Sequence, residues 1–440
     1  VVERDATLGG TCLNRGGIPT KALLEHAHAY KIALQAREWG ISFGAGPVSI
    51  DMGQVHARKD KIVKDLTGGI AFLFKKNKID WIKGTARLLG QGRGEGAGEE
   101  PTTLTAREIV IATGSSARGV PGVEIDGRRI ISSNEAIEMR EVPKSIAVMG
   151  SGAVGVEFAS LFAQFGSQVT LIELLPRIVP NEDEQVSAEL ERAFRKRKIR
   201  VLAGTRVTRA TPGEDAVTLE AELPDGKTET IVADYLLVAT GRGPVTAGLG
   251  VETLGLEMVR GYIKVDPLLR TSVAGISAVG DVIALGDWPH PQLAHLSSME
   301  GIITAERIAG RDVQPINYDH VPGCTYCDPE IGSVGLTEAE ARTRGYDVRV
   351  GVFPFRAVGR ARIANEIYGF VKFVADRKYD EVLGVHMIGP RSTELVAEAT
   401  IALRLECTVE EMIRTIHAHP TMSEAVGEAA HAAHGAAIHV

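Results

Sequence analysis

The sequence predicts an α/β protein with two doubly wound, Rossmann-like nucleotide-binding modules and a separate C-terminal α+β domain. Three observations carry this. "EIVIATG" (108–114) and "DYLLVATG" (234–241) match each other, each a short β-branched run ending in Ala-Thr-Gly. Such runs are buried strands of parallel type, in two similar modules. "SIAVMGSGAVGVEFASLFAQFGSQVTLIE" (145–173) reads strand, glycine turn, helix, strand. From about Tyr318 the glycine fingerprints stop and an α+β texture begins.

The bulk numbers narrow the function classes. A chain of 440 residues holds two to four domains and a large core. A net charge of −7 gives no nucleic-acid footprint. No apolar run approaches membrane-spanning length, so a soluble, cytoplasmic protein is expected. Four cysteines in this length are not a disulfide scaffold and fit a reducing cytosol.

The opening "VVE" reads as the end of a buried strand, so the chain starts in mid-fold. "GGTCLNRGGIPTKALL" (9–24) follows, with Cys12 in a glycine-rich turn and a helix opening at Ile18-Pro19-Thr20-Lys21. A cysteine beside a helix start is primed to be a thiolate. Two-electron thiol chemistry needs a second sulfur close by, and this stretch has none. "GQGRGEGAGEEPTT" (90–103) reads as an exposed loop without function. "DEQVSAELERAFRKRK" (183–198) reads as a charge-laced helix with a solvated face.

Gly150-Ser151-Gly152-Ala153-Val154-Gly155 is G-x-G-x-x-G. It follows a strand, opens a helix, and is followed by a strand ending in Glu173, which is the context a dinucleotide site requires. The glycines let the backbone approach a pyrophosphate at a helix N-terminus. Glu173 is placed to bond both ribose hydroxyls and to repel a 2′-phosphate, so NAD is expected over NADP.

Near the C-terminus, "HAHPTMSE" supplies His419, Pro420 and Glu424. Proline suits the first turn of a helix, which places Glu424 about one turn in. A carboxylate on a ring N–H fixes the imidazole tautomer for acid–base work. A His-Pro turn with a capping acid is the other reading of these residues alone. His417 is a spacing neighbour. Cys324 and Cys327 form a C-x-x-C, which can be a redox pair or half a zinc site; without a second pair they read as packing thiols. Cys407 reads as core. His431, His434 and His439 are incidental, and no metal is expected.

Taken together these motifs resemble the pyridine nucleotide–disulfide oxidoreductases, and the likeness runs from Val1 to Val440. It rests on "GGTCLN", "IPTKALL", both Ala-Thr-Gly strands, "GSGAVGVEFA", "ATGRGP", "AVGDV…QLAH…EG", "PEIGSVGLTE", "GVHMIGP" and "HAHPTMSE". The resemblance implies an FAD-binding domain over 1–140 and an NAD-binding domain over 141–247. A central segment over 248–315 completes the flavin site, and an interface domain over 316–440 builds a homodimer. It implies that Glu3 binds the FAD adenosine ribose, Asp281 the ribityl chain, and Ala294 the isoalloxazine through its backbone. Thr113 and Gly114 belong to the same FAD site. Lys21 lies beside the flavin and Glu157 pairs with it. Val207 and Gly241 belong to the NAD site with Gly150, Gly152, Gly155 and Glu173.

In the family the redox turn is Cys-x-x-x-x-Cys. Here Cys12 fills the first position and Gly17 the second. The family's FAD fingerprint would precede Val1, about 30 residues upstream. Val245 replaces the asparagine that usually follows the proline of "ATGRGP". By resemblance, His419 takes a proton from the incoming dithiol in the partner subunit's site, with Glu424 behind it. The reaction implied is oxidation of dihydrolipoyl groups with NAD reduction, on lipoyl domains of a 2-oxo acid dehydrogenase complex, impaired by Gly17. Two alternatives stand beside it. One is an NADH diaphorase or transhydrogenase-like flavoenzyme, since the soluble transhydrogenases also lack the second cysteine. The other is a non-catalytic docking subunit, against which the intact NAD fingerprint argues.

Overall fold

Short β-branched runs and the glycine turns between them set the architecture. The computed structural model describes residues 1–44, 46–90, 92–97 and 102–439. Contacts divide the chain into two interleaved units. The first holds Val1–Leu23, Asp51–Arg118 and Gly241–Ile316; the second holds Leu24–Ile50, Gly119–Thr240 and Asn317–Val440.

In the first unit, Ile109–Ile111 pairs in parallel with Ile276–Ala278. Ser115–Ala117 pairs antiparallel with Arg242–Pro244, which brings the residues following both Ala-Thr-Gly motifs side by side. Leu88, Ile111, Val251, Ile263, Ile276 and Ile283 form the core. Ile109–Ile111 is less buried than expected: Ile111 is buried but Val110 is 43% exposed. "VVE" also differs from a buried strand. Val2–Glu3 does pair with Ile82–Lys83, yet both residues are half-buried and Val1 is exposed. The expected loop over 90–103 is largely sheet. Arg93–Ala97 pairs with both Thr85–Gly90 and Thr102–Thr105, because threonines and alternating glycines tolerate an exposed ladder. Residues 91 and 98–101 of that stretch lie outside the described residues.

The second unit contains a five-stranded parallel sheet in the order Arg200–Leu202, Gln168–Ile172, Ser145–Met149, Tyr235–Val238, Ile130–Ile131. "DYLLVATG" therefore forms its expected buried strand. A second five-stranded sheet, antiparallel throughout, carries the C-terminal residues: Gly323–Thr325, Glu330–Gly335, Val382–Gly389, Phe370–Asp376, Val348–Pro354. Its strand Val382–Gly389 is buried at every position. The helix Glu424–Ala433 lies on Val348–Pro354 through Ala425, Val426, Ala429, Ala430 and Ala433.

The charge-laced stretch forms the helix Glu184–Lys196, but it is amphipathic rather than solvated. Val186, Leu190 and Phe194 are buried. Its cap, Asp183, is buried too. Lys372, only 1% exposed in the strand Phe370–Asp376, donates to both oxygens of Asp183 at 3.0 and 2.9 Å and to Glu338 at 2.8 Å. Burial acts to raise the Asp183 pKa, and the hydrogen bond and charge of Lys372 more than offset it, leaving the carboxyl below its usual range. Glu338 is lowered first by its own bond to Lys372.

Lys372→Met should cost about 3–5 kcal/mol, because it strands Asp183 as a buried charge. Both carboxylates have depressed folded-state pKa values, so the stability they contribute is present above about pH 4 and is lost as pH falls. The variant's deficit in urea unfolding should therefore be largest at neutral pH and shrink in acid.

Candidate functional site

The three fingerprint glycines serve three different physical needs. Gly150 has φ +98°, and a Cβ there would lie 2.5 Å from the Ala239 carbonyl oxygen. At Gly155 a Cβ would lie 1.9 Å from the Gly150 carbonyl oxygen, so the helix Ala153–Phe165 meets the turn with no room for a side chain. At Gly152, the helix N-cap, a Cβ would meet open space. No side chain caps that helix. The result is an uncapped N-terminus behind a clear approach, which fits a dinucleotide pyrophosphate.

Glu173 sits just beyond the strand Gln168–Ile172 and is buried. One oxygen accepts the Ser151 N–H at 2.8 Å and the Ser151 hydroxyl at 2.7 Å; the other accepts the Leu175 N–H at 2.9 Å. The second glycine turn is thus tied to the acid by the residue between Gly150 and Gly152, a link the sequence did not reveal. Val207 lies on the strand Arg206–Pro212, at a register shift, and packs against the module core.

In the first unit the residues that follow the two Ala-Thr-Gly motifs, Ser115 and Arg242, meet beside Asp281. Gly114 takes φ +70° and Gly241 φ +125°. The Thr113 hydroxyl donates to the Val245 carbonyl at 2.6 Å, and the Val245 N–H donates to the Gly114 carbonyl at 2.9 Å. Ser115 donates its hydroxyl proton to Asp281 at 2.6 Å and accepts from Arg242 Nε at 2.7 Å. Sequence reasoning missed Ser115 and Arg242; the signal was their shared place, each directly after Ala-Thr-Gly. Ala294 opens the helix Ala294–Ile308, whose N-terminus has no side-chain cap. An electron-rich edge of a flavin fits such an end. Glu3 accepts the Asp5 N–H at 2.8 Å.

Cys12 lies inside a short helix, Gly10–Arg15, and not in an open turn; the chain breaks at Gly16 and a second helix, Gly17–Leu34, begins. Lys21 is half-buried on that helix. A Cβ built at Gly17 would lie 3.2 Å from Cys12 Sγ. Across a disulfide each Cβ stands about 3 Å from the partner's sulfur. Position 17 is therefore shaped for a second sulfur although none is there. None of Cys12, Cys324, Cys327 and Cys407 is disulfide-bonded.

In the second unit, Glu157 is buried and accepts the Tyr326 N–H at 2.9 Å. Cys327 is also buried, and burial pushes its thiol well above the usual range, with Glu157 and Asp328 pushing the same way. Tyr326 is pushed up to about 12, first by burial. The Cys327 thiol is built for packing. No group of residues suited to a metal ion occurs among the described residues.

His419 Nδ1 lies 2.8 Å from Glu424 Oε1, and the other Glu424 oxygen accepts the Thr421 N–H at 2.9 Å. Burial acts to raise the Glu424 pKa; the bonds from His419 and Thr421 more than offset it and leave it low. An ionised Glu424 favours the ring proton on Nδ1 and leaves Nε2 as an acceptor. The side chain of His419 is 76% exposed. Glu424 is the first residue of its helix, not one turn in, because Pro420 sits in the preceding turn. His417 is more than a spacing neighbour: its Nε2 lies 2.7 Å from Glu398, a bond that raises its pKa. Two of the tail histidines are also paired, His434 with Asp380 and His439 with Glu428.

The model of the pyridine nucleotide-disulphide oxidoreductases matches residues 1–301, and that of their dimerisation domain matches 321–430. The chain belongs to this family. It is a flavin-dependent, NAD-linked oxidoreductase, and the second match supports a homodimer. A dihydrolipoyl dehydrogenase of Bacillus subtilis is 43% identical over 100% of this chain and 93% of its own length. Among solved structures, LpdA of Mycobacterium tuberculosis superposes with a TM-score of 0.88 at 26% identity, covering 98% of this chain and 93% of its own. The HOCl-induced flavoprotein disulfide reductase RclA of Escherichia coli gives 0.85 at 27%, covering 98% and 93%. Among the described residues no helix is long and apolar enough to cross a membrane.

Two predictions follow the glycine geometry and the Glu173 cage. Gly155→Ala should destabilise the protein by about 1–3 kcal/mol, whereas Gly152→Ala should keep its melting temperature and lose NADH affinity; calorimetry and titration separate the two. Glu173→Gln keeps one oxygen for Ser151, removes the charge and gives up the acceptor of the Leu175 N–H. Its ratio of kcat/KM for NADH over NADPH should fall at least about fivefold.

Proposed function

We propose that this chain is a cytoplasmic dihydrolipoyl dehydrogenase-type enzyme, serving lipoyl domains of a 2-oxo acid dehydrogenase complex, with its dithiol half-reaction interrupted at Gly17. The observation that carries it is the 3.2 Å from the Gly17 Cβ position to Cys12 Sγ, a pocket for a sulfur that glycine leaves empty. Bound FAD supplies the two-electron carrier between a thiol and the nicotinamide. Asp281, Thr113, Gly114, Ala294 and Glu3 hold it, with Lys21 and Glu157 assigned to its reacting edge. Gly150, Gly152, Gly155, Glu173, Val207 and Gly241 hold NAD.

His419, kept as a base by Glu424, takes the proton of an incoming thiol in the partner subunit's site. Cys12 exchanges with a disulfide: its thiolate attacks one sulfur, a mixed disulfide forms, and the other sulfur leaves as thiolate. A second cysteine thiolate would then attack Cys12 Sγ, close a disulfide with it and release the bound sulfur as a thiolate that takes the electron pair; run in reverse, the same exchange oxidises a dithiol. Gly17 cannot make that attack. The nicotinamide half keeps every group it needs, which favours a diaphorase-like reaction as the residual activity.

The test uses the full-length, FAD-loaded protein with and without Gly17→Cys. With Gly17, NAD reduction by dihydrolipoamide should stay at background while NADH still reduces an artificial acceptor. Gly17→Cys should raise dihydrolipoamide turnover by about a hundredfold or more and bring in a long-wavelength absorbance. Full dihydrolipoamide turnover with Gly17 in place would overturn the proposal.

A further inference from the structure

The loop that carries His419 has one side chain turned inward. Of residues 414–420, only His417 is not exposed. Its side chain is 11% exposed and lies between two helices. On one side, Nε2 is 2.7 Å from Glu398 of the helix Ser392–Arg404. On the other, the ring lies against Gly427 of the helix Glu424–Ala433, where a Cβ would stand 2.8 Å from Nδ1. Glycine leaves the room that the ring needs. Nδ1 itself is 3.1 Å from the Thr415 carbonyl oxygen. Thr415 is held in turn, since its N–H and its hydroxyl donate to the Glu411 carbonyl at 3.1 and 2.8 Å.

Both ring nitrogens therefore face atoms that only accept. A carbonyl oxygen and a carboxylate have no proton to give. A neutral imidazole has one N–H and serves one of them; an imidazolium serves both. The surroundings favour the charged ring. The bond to Glu398 raises the His417 pKa most, burial opposes the rise, and the charge of Glu398, the Thr415 carbonyl and Glu424 add to it. The acids that face His417 are thus Glu398 on one helix and Glu424 at the start of the other, and Glu424 also holds His419.

We propose that His417 is a positioning residue for His419: bonded at both ring nitrogens as an imidazolium, it clasps the His419 loop to the helix that carries Glu398. The inference rests on the reading of His419 as the base, made above. His417 touches no reacting atom. It acts through the backbone, two residues away from His419. Loss of the ring proton opens the clasp, because a neutral ring must give up one acceptor. With the folded pKa raised, the clasp is complete below about pH 6.5, the value of a free histidine. It is lost as pH rises through the higher folded value.

The test follows amide hydrogen exchange of the peptide 414–421 in the full-length, FAD-loaded protein between about pH 6 and pH 9, with rates corrected for their intrinsic pH dependence. Native protection should fall at least about tenfold across this range. His417→Phe keeps a packed ring and removes both bonds; its protection should be low and level at every pH. Glu398→Gln keeps an oxygen for Nε2 and removes the charge. It should move the fall to lower pH by at least about half a unit. A ring that only fills space gives neither the fall nor its displacement. In the Gly17→Cys protein, adding His417→Phe should lower kcat for dihydrolipoamide at least about tenfold and leave KM within about threefold. The inference is overturned if native protection is the same at every pH, if His417→Phe is protected like the native protein, or if Glu398→Gln falls at the native pH. Should His417→Phe fail to fold, Glu398→Gln carries the test through that displacement. Turnover in Gly17→Cys that His417→Phe leaves unchanged removes the His417 inference and leaves His419 as the base. No turnover in Gly17→Cys removes both.

Discussion

The contact between the helix Ala153–Phe165 and the carbonyl of Gly150 is the constraint on which the nucleotide half depends. With a hypothetical Cβ at Gly155 only 1.9 Å from that oxygen, backbone meets backbone. Gly150 is itself pinned against Ala239, at the end of the neighbouring strand, and Glu173 reaches back to Ser151 in the same turn. One close approach therefore fixes the helix axis, the two strands beside it and Glu173. Among the described residues no side chain caps the helix end, so its partial positive charge is available.

A parallel logic governs the first unit, by hydrogen bonds instead of close packing. Two strands supply Ser115 and Arg242: Ser115 bonds the Asp281 carboxylate, and Arg242 bonds Ser115. Charge in this region is handled by pairing: Arg242 stands near Asp281, and burial lowers its pKa while Asp281 opposes that shift. The redox turn has no such redundancy. The short helix Gly10–Arg15 and the long helix Gly17–Leu34 meet at Gly16 and Gly17, where the backbone sets position 17 within 3.2 Å, measured from a Cβ, of Cys12 Sγ.

How far the sequence could be read depended on whether a residue's role was local. Gly150 to Gly155 declare themselves because strand, turn and helix are contiguous, and the two Ala-Thr-Gly runs declare strands for the same reason. His419 and Glu424 are five residues apart, so their pairing was legible too, although the helix start was displaced by Pro420. Roles that join distant segments were hidden. Lys372 reaches Asp183 across 189 residues, and its one sequence signal is a lone charge inside the apolar strand "FVKFV". Ser115 and Asp281 are 166 apart. The stretch 90–103 misled because glycine and threonine suit an exposed ladder as well as they suit a loop.

The alanine-rich helix that begins at Glu424 has one more consequence. Its buried face is small, and opposite it stands Gly351, where a Cβ would lie 2.2 Å from the Ala433 nitrogen and 2.3 Å from the Ala429 carbonyl oxygen. Helix and sheet touch through their main chains, with no long side chains between them to flex. The mount of the His419–Glu424 pair is accordingly stiff, and little reorganisation of the protein is left to occur when a ligand arrives. Against such a mount the motion must come from the ligand: a group on a long, pliable tether can search for a fixed imidazole, whereas a rigid small molecule must diffuse into register.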